Sequence, residues 1–278
     1  LIVHLSGMEQ IGSVARTIPP IAEKLAKTFW PGPLTLILPK QPAVPDAVTS
    51  GLDTVAVRVP DHPVALELIR VANRPIAAPS ANRFGHTSPT TAYHVWDDLR
   101  GRVDIILDGG ETSVGVESTV LDISTSPPRI LRPGGITREM LEAVIGAVTV
   151  LRQQRTIEEG LPSPGLLKKH YAPHSEMVLF VGENARETLI EESRAAHKAG
   201  KRVGVLALDE DMEILKTTGA VVYRLGSDES SIARRLYAGM RWLDRQGVDV
   251  ILCRSLSESG LGLAILDRLV RAASRVVT

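Results

Sequence analysis

A single cysteine, Cys253, rules out any disulfide within the chain, and its apolar approach, Val248–Asp249–Val250–Ile251–Leu252, favours a small buried hydrophobe over a reactive thiol. Aromatics are equally scarce. Three Trp, four Tyr and three Phe amount to 4% of 278 residues, and no stacking motif of the kind that holds single-stranded RNA is visible. Charge of either sign is not in excess: 32 Lys and Arg meet 32 Asp and Glu, so no global field draws the chain to nucleic acid, although a local patch stays open. Nor does any apolar stretch approach the roughly 20 residues that span a bilayer. The opening residues lack a charged segment leading to a cleavage site. No membrane association is expected, and the expected location is cytoplasmic. Internal repeats and low-complexity tracts are also missing.

What the sequence does have is core material. With 44% hydrophobic residues over 278 positions, it approaches the upper size that one core supports, so two domains are expected. Val14, Ile18, Ile21, Leu25 and Phe29 recur at helical spacing and predict a helix over 14–30, stopped by Pro31–Gly32–Pro33. Strands are predicted at 34–38, 54–59, 75–78, 103–107, 118–123 and 129–131. Helices are predicted over 62–72 and after Thr137, an N-cap with Glu139 in the first turn. Strands outnumber helices, which fits a twisted sheet with helices packed on it. From 146 to 176 periodicity fails among prolines, glycines and basic residues (Arg152, Arg155, Lys168 and Lys169 against Glu158 and Glu159), the composition of a linker. Beyond it, strands at 177–181, 203–208, 220–225 and 248–253 alternate with helices, with Gly200 and Gly247 as caps. Four βα units predict a parallel sheet. The expected class is therefore α/β, divided into 1–145, a linker over 146–176, and 177–278.

Four short segments carry chemistry. Pro79–Ser80–Ala81–Asn82 continues through Gly85–His86–Thr87–Ser88–Pro89 at the end of a strand, where small hydroxyl and amide groups suit a polyanion; the same residues also make an ordinary polar turn. Val55–Ala56–Val57–Arg58–Val59–Pro60 sets one arginine in an alternating strand. Gly115–Val116–Glu117–Ser118–Thr119–Val120 leads polar residues into another. Ile130–Leu131–Arg132–Pro133–Gly134 ends a third on a second arginine.

In order and spacing these segments resemble the YrdC/Sua5 family of threonylcarbamoyl-AMP synthases. Ser163–Pro164–Gly165 and His170–Tyr171–Ala172–Pro173 resemble the linker of the two-domain Sua5 form, and Gly260–Leu261–Gly262–Leu263–Ala264 its C-terminal domain. The resemblance implies a YrdC-like twisted mixed sheet with packed helices, a linker or lid, and a smaller Rossmann-like parallel βα domain. It implies condensation of L-threonine, bicarbonate and ATP into threonylcarbamoyl-AMP and pyrophosphate for tRNA modification, with Mg²⁺ arriving with ATP and the product passing to a tRNA threonylcarbamoyl transferase. Stable nucleic-acid binding is not expected. His4, Arg58, Ala78 and Ser118 match threonine-side positions, and Thr54, Ser80, Asn82, Ser88, Arg132 and Tyr171 match nucleotide-side ones. Arg58 and Arg132 are the catalytic candidates, since the reaction needs cations on phosphate and carboxylate oxygens and no covalent nucleophile. Tyr171 matches a residue that closes over the nucleotide.

Each residue also has a plainer reading. Arg58 pairs with Asp53 or Asp61, Arg132 is a solvated strand end, His4 packs in a core, and Tyr171 anchors the linker. His170 and His174 stand four apart, but Pro173 between them speaks against a helical zinc site, and no protein metal site is expected. Gly260 and Gly262 lack the third glycine of a dinucleotide fingerprint. Leu1–Ile2–Val3–His4 matches the family just after its Lys-x-Arg-Pro motif, so a preceding part of the catalytic domain is expected to have no counterpart here. The alternatives are an RNA-binding module, or a catalytically incompetent fragment of such an enzyme.

Overall fold

Short β-branched and leucine-rich stretches, each too brief to fold alone, pair here into two sheets. The computed structural model describes residues 1–151 and 171–278. Its described residues form two compact units that do not follow the chain in consecutive halves. Of the described residues, the first joins 1–80 to 117–151, and the second joins 81–116 to 171–278.

In the first unit β1 (Ile2–His4), β2 (Leu34–Pro39), β3 (Thr54–Arg58), β4 (Ile76–Ala78), β5 (Thr119–Asp122), β6 (Arg129–Arg132) and β7 (Thr149–Val150) form one mixed sheet in the order β4-β1-β3-β2-β5-β6-β7. β1 runs parallel to β3 and antiparallel to β4; β2 is antiparallel to β3 and parallel to β5. Helices α1 (Pro20–Phe29), α2 (Asp46–Thr49), α3 (Pro63–Ala72) and α5 (Arg138–Ile145) complete the unit. Its core gathers Leu5, Leu25, Leu34, Leu36, Leu38, Val57, Leu121 and Leu141. Thr137 caps α5, its hydroxyl accepting from the Met140 N–H at 3.3 Å.

The second unit holds α4 (Ala92–Leu99) and the five parallel strands β8 (Glu176–Phe180), β9 (Val203–Leu208), β10 (Val221–Gly226), β11 (Val250–Arg254) and β12 (Arg275–Val277), ordered β10-β9-β11-β8-β12. α6 (Ala185–Lys198) and α7 (Met212–Leu215) belong with one apolar layer. α8 (Glu229–Arg245) and α9 (Gly262–Ala272) belong with the other. The expected mixed sheet and parallel βα sheet are both present. Gly115, at φ 82°, is required where it stands, because a Cβ there would strike the α8 backbone at Ala233 and Arg234.

Several local expectations change. The first α-helix starts at Pro20, not residue 14, because Ile18 and Pro19 each precede a proline and are pushed out of the helical region. Met8–Ser13 forms a 3₁₀ turn instead. The run at 103–107 is not a strand: among the described residues no strand pairs with it, and Ile105 is 78% exposed. Alternation supplies a face for a strand but not the neighbour that its backbone needs. Of the stretch with linker composition, residues 152–170, including Ser163–Pro164–Gly165 and His170, lie outside the described residues, while Thr149–Val150 forms β7 against β6. β12 and α4 had no counterpart in the sequence reading.

Candidate active site

Sheet register sets three candidate residues of the first unit, His4, Arg58 and Arg132, in one row. His4 pairs with Arg58 across β1 and β3. Leu36 pairs with Val57, which puts Thr35 beside Arg58, and Thr35 in turn pairs with Val120 and Val120 with Arg132. The row therefore runs His4, Arg58, Thr35, Val120, Arg132, from β1 to β6. Ala78 flanks it on β4, paired with Ile2. Ser118 enters at the foot of β5.

Arg58 is anchored rather than exposed. Its Nε donates to the Gly32 carbonyl at 2.9 Å, and its Nη2 lies 3.9 Å from Asp61, a loose pairing that realises one of the two carboxylates proposed for it. Burial lowers the guanidinium's pKa; Asp61 opposes that shift and the Arg132 charge adds to it. Burial and then the Arg58 charge press His4 down to about 4, against hydrogen bonding of the ring to the backbone of Ile76 and Ile2, so its ring is neutral at pH 7.

Arg132 is buried, not a solvated strand end. Its Nε and Nη2 donate to the Ser118 carbonyl at 3.1 and 2.9 Å, and Nη2 reaches the Ser118 hydroxyl at 3.0 Å. Ser118 Oγ also lies 2.8 Å from Thr35 Oγ1. Gly134 allows this approach, since a Cβ there would collide with the Glu117–Thr119 backbone. Two partly or wholly buried guanidiniums thus influence each other beside a neutral imidazole and a chain of hydroxyls. Such a site favours oxyanions, whose charge relieves the repulsion between the arginines.

Thr54 begins β3, roughly 13 Å along the strand from Arg58 at about 3.3 Å per residue, so it lies outside the row. Ser80 is exposed beyond β4. The other three candidates belong to the second unit. The Asn82 amide donates to the Arg83 and His86 carbonyls at 3.0 and 2.9 Å. Ser88 is buried. Tyr171 is 1% exposed, at φ 64°, with its ring 5.6 Å from Tyr237 and the Arg268 guanidinium 5.3 Å above it. The chain at Tyr171 is stitched to the 85–88 loop: Thr87 Oγ1 donates to the Tyr171 carbonyl at 3.2 Å and Ala172 N to the Gly85 carbonyl at 3.1 Å.

Sequence reasoning missed Thr35, whose signal was a lone hydroxyl in the apolar run Leu34–Thr35–Leu36–Ile37–Leu38. It also missed Gly32, which acts only through its carbonyl and so leaves no side-chain signal. Cys253 is buried with its thiol pKa pushed up by that burial. The Gly260–Leu261–Gly262 turn is occupied from within: Glu229 accepts from the Leu261 N–H at 2.9 Å and from the Ser257 hydroxyl at 2.9 Å.

Residues 1–134 match the Sua5–YciO–YrdC family, described as telomere recombination, and residues 136–274 match the threonylcarbamoyl-AMP synthase C-terminal domain. The chain is 46% identical over 280 residues to a threonylcarbamoyl-AMP synthase of Pyrococcus abyssi, covering 98% of this chain and 79% of the relative. It is 44% identical over 275 residues to one of Bacillus subtilis, with the same coverage. The crystal structure of P. abyssi Sua5 complexed with L-threonine superposes with a TM-score of 0.91 at 44% identity, over 100% of this chain and 81% of that one.

Proposed function

The chain belongs to the Sua5–YciO–YrdC family and carries the C-terminal domain of its threonylcarbamoyl-AMP synthases, and on that premise we propose that it is an L-threonylcarbamoyladenylate synthase. It condenses L-threonine, bicarbonate and ATP to threonylcarbamoyl-AMP and pyrophosphate. The observation that carries this reading is the row of His4, Arg58, Thr35 and Arg132, with Ser118 hydrogen-bonded to Arg132 and Thr35, on a fold that matches a threonine-bound relative at 44% identity.

Roles follow from the geometry. Arg58, fixed by the Gly32 carbonyl, presents its fork to the threonine carboxylate. His4, neutral at pH 7, adds no charge that would repel the substrate's ammonium. The ammonium gives up a proton, the free amine attacks the bicarbonate carbon, and the C–O bond to the bicarbonate hydroxyl breaks so that it leaves as water with the second amine proton, giving a carbamate. A carbamate oxygen then attacks the α-phosphorus and expels pyrophosphate. Charge builds on carboxylate and phosphate oxygens, where Arg132 and the Ser118–Thr35 hydroxyls are already in place, so catalysis is by positioning and fixed positive charge. Ala78 lines the threonine side; Thr54, Ser80, Asn82, Ser88 and Tyr171 serve the nucleotide. Mg²⁺ would arrive with ATP and supply positive charge to its phosphates. Its expected ligands are mostly phosphate oxygens and water, as the octahedral oxygen preference of Mg²⁺ implies. A cytoplasmic location fits these substrates, and the labile product passes to a tRNA threonylcarbamoyl transferase. No helix among the described residues is long and apolar enough to cross a membrane.

The test is pyrophosphate release by the purified chain. Release that needs threonine, bicarbonate and ATP together supports the reading; release with ATP alone, or none under any combination at proven ligand occupancy, overturns it.

A further inference from the structure

One helix of the C-terminal part grips the loop that carries Ser88. Arg241, four residues before the end of α8, is buried among backbone acceptors. Its Nη2 donates to the Thr87 carbonyl at 2.5 Å and its Nε to the Ser88 carbonyl at 3.3 Å. The same guanidinium bonds Asp98 of α4 through both terminal nitrogens, at 3.2 and 2.6 Å. Three residues on along α8, Asp244 takes the N–H groups of His174 and Ser175 at 2.8 and 2.9 Å. The two segments so held meet at a parallel bridge between His86 and Ala172, with the His86 and His174 rings 4.7 Å apart. Arg241 and Asp244 thus hold the two sides of that bridge from one helix face.

We propose that Arg241 is a positioning residue for nucleotide binding: it fixes the backbone of Thr87 and Ser88 so that the loop sets Ser88 against the nucleotide. This rests on the reading of that loop as nucleotide-side. The chemistry is specific to a guanidinium. Two buried carbonyls and a carboxylate converge from different directions, and a planar fork with five donors satisfies all three, whereas an ammonium on a shorter, non-planar head cannot. A buried carbonyl left without its donor is strongly disfavoured, so the loop moves instead. The C-terminal part thereby shapes the nucleotide loop through the Arg241 contacts to the Thr87 and Ser88 carbonyls.

The test is calorimetric titration of the whole chain with ATP and, separately, with L-threonine, using Arg241→Lys, Ser88→Ala and the double variant, with thermal melts as a folding check. Arg241→Lys is expected to weaken ATP binding at least tenfold while threonine affinity stays within twofold. The double variant should bind ATP no worse than the weaker single, because Arg241 acts through the loop. Unchanged ATP affinity in folded Arg241→Lys, or equal losses for both ligands, overturns the proposal. Ser88→Ala separates the two claims: if it binds ATP normally while Arg241→Lys does not, Ser88 loses its assigned role and Arg241 keeps its own. Should Arg241→Lys fail to fold, Asp98→Asn removes the carboxylate that orients the guanidinium; a threefold or greater loss for ATP alone supports the proposal, and no loss overturns it.

Discussion

Arg58 and Arg132 share a row of the sheet but are held by different partners, so their removal should differ. Arg58→Ala is expected to weaken threonine binding by roughly 2–4 kcal/mol, the scale of a lost charge-assisted pair in a dry site, and ATP binding by less. Titration calorimetry with each ligand checks this, and an equal or ATP-confined loss would refute the assignment. Arg132→Ala also releases Ser118, so it should weaken both ligands. For His4, the folded pKa of about 4 lies below the ordinary 6.5. Between those values the unfolded chain takes up a proton that the folded chain refuses, so this contribution to stability is present above about pH 6.5 and lost as pH falls toward 4. Denaturant melts at pH 7 and 4.5 should show a smaller acid loss in His4→Gln than in the parent chain. Tyr171 is packed against Tyr237 and Arg268, and Tyr171→Ala should cost roughly 3–5 kcal/mol as a core truncation. That cost, measured by denaturant unfolding, must be separated from any effect on nucleotide closure.

At the scale of elements, periodicity told most where an element was long or carried a cap. α8, with Asp228 accepting from the Ser231 N–H at its start and Gly247 in the left-handed region after its end, spans 229–245 where helical spacing up to the Gly247 cap predicts 228–246. α5 starts where Thr137 said it would, and Thr137→Ala should cost about 1 kcal/mol by chemical denaturation. Gly115→Ala is expected to cost more, because positive φ and the α8 backbone both oppose a Cβ; its melting temperature should fall below that of Thr137→Ala. Short strands were less legible. β1 and β12 have three residues each, too few for alternation to register, and they exist because a neighbour's edge is waiting. Conversely, Val103–Leu107 reads as a strand and has no partner among the described residues.

Across the whole molecule, that same run leaves Val103, Ile105 and Leu107 exposed on a chain with no net charge and a pI near 7.2. Association near neutral pH is the expected consequence. Ile105→Lys should reduce light scattering at high concentration while changing folding stability by no more than about 0.5 kcal/mol. From sequence alone came the α/β class, the parallel character of the C-terminal sheet, and the residue types of the site, because hydrophobic period, caps and the chemistry of arginine and hydroxyl groups are local properties. Tertiary structure decided the rest. Only register could set His4, Arg58, Thr35 and Arg132 in one row, since it depends on which strands pair and at which residue. Only packing could bury Arg132 against Ser118, give Arg58 a carbonyl anchor, and bring Arg241 to a loop 153 residues earlier in the chain. Those contacts join residues far apart in sequence, and no local pattern encodes a distance that chain folding alone closes.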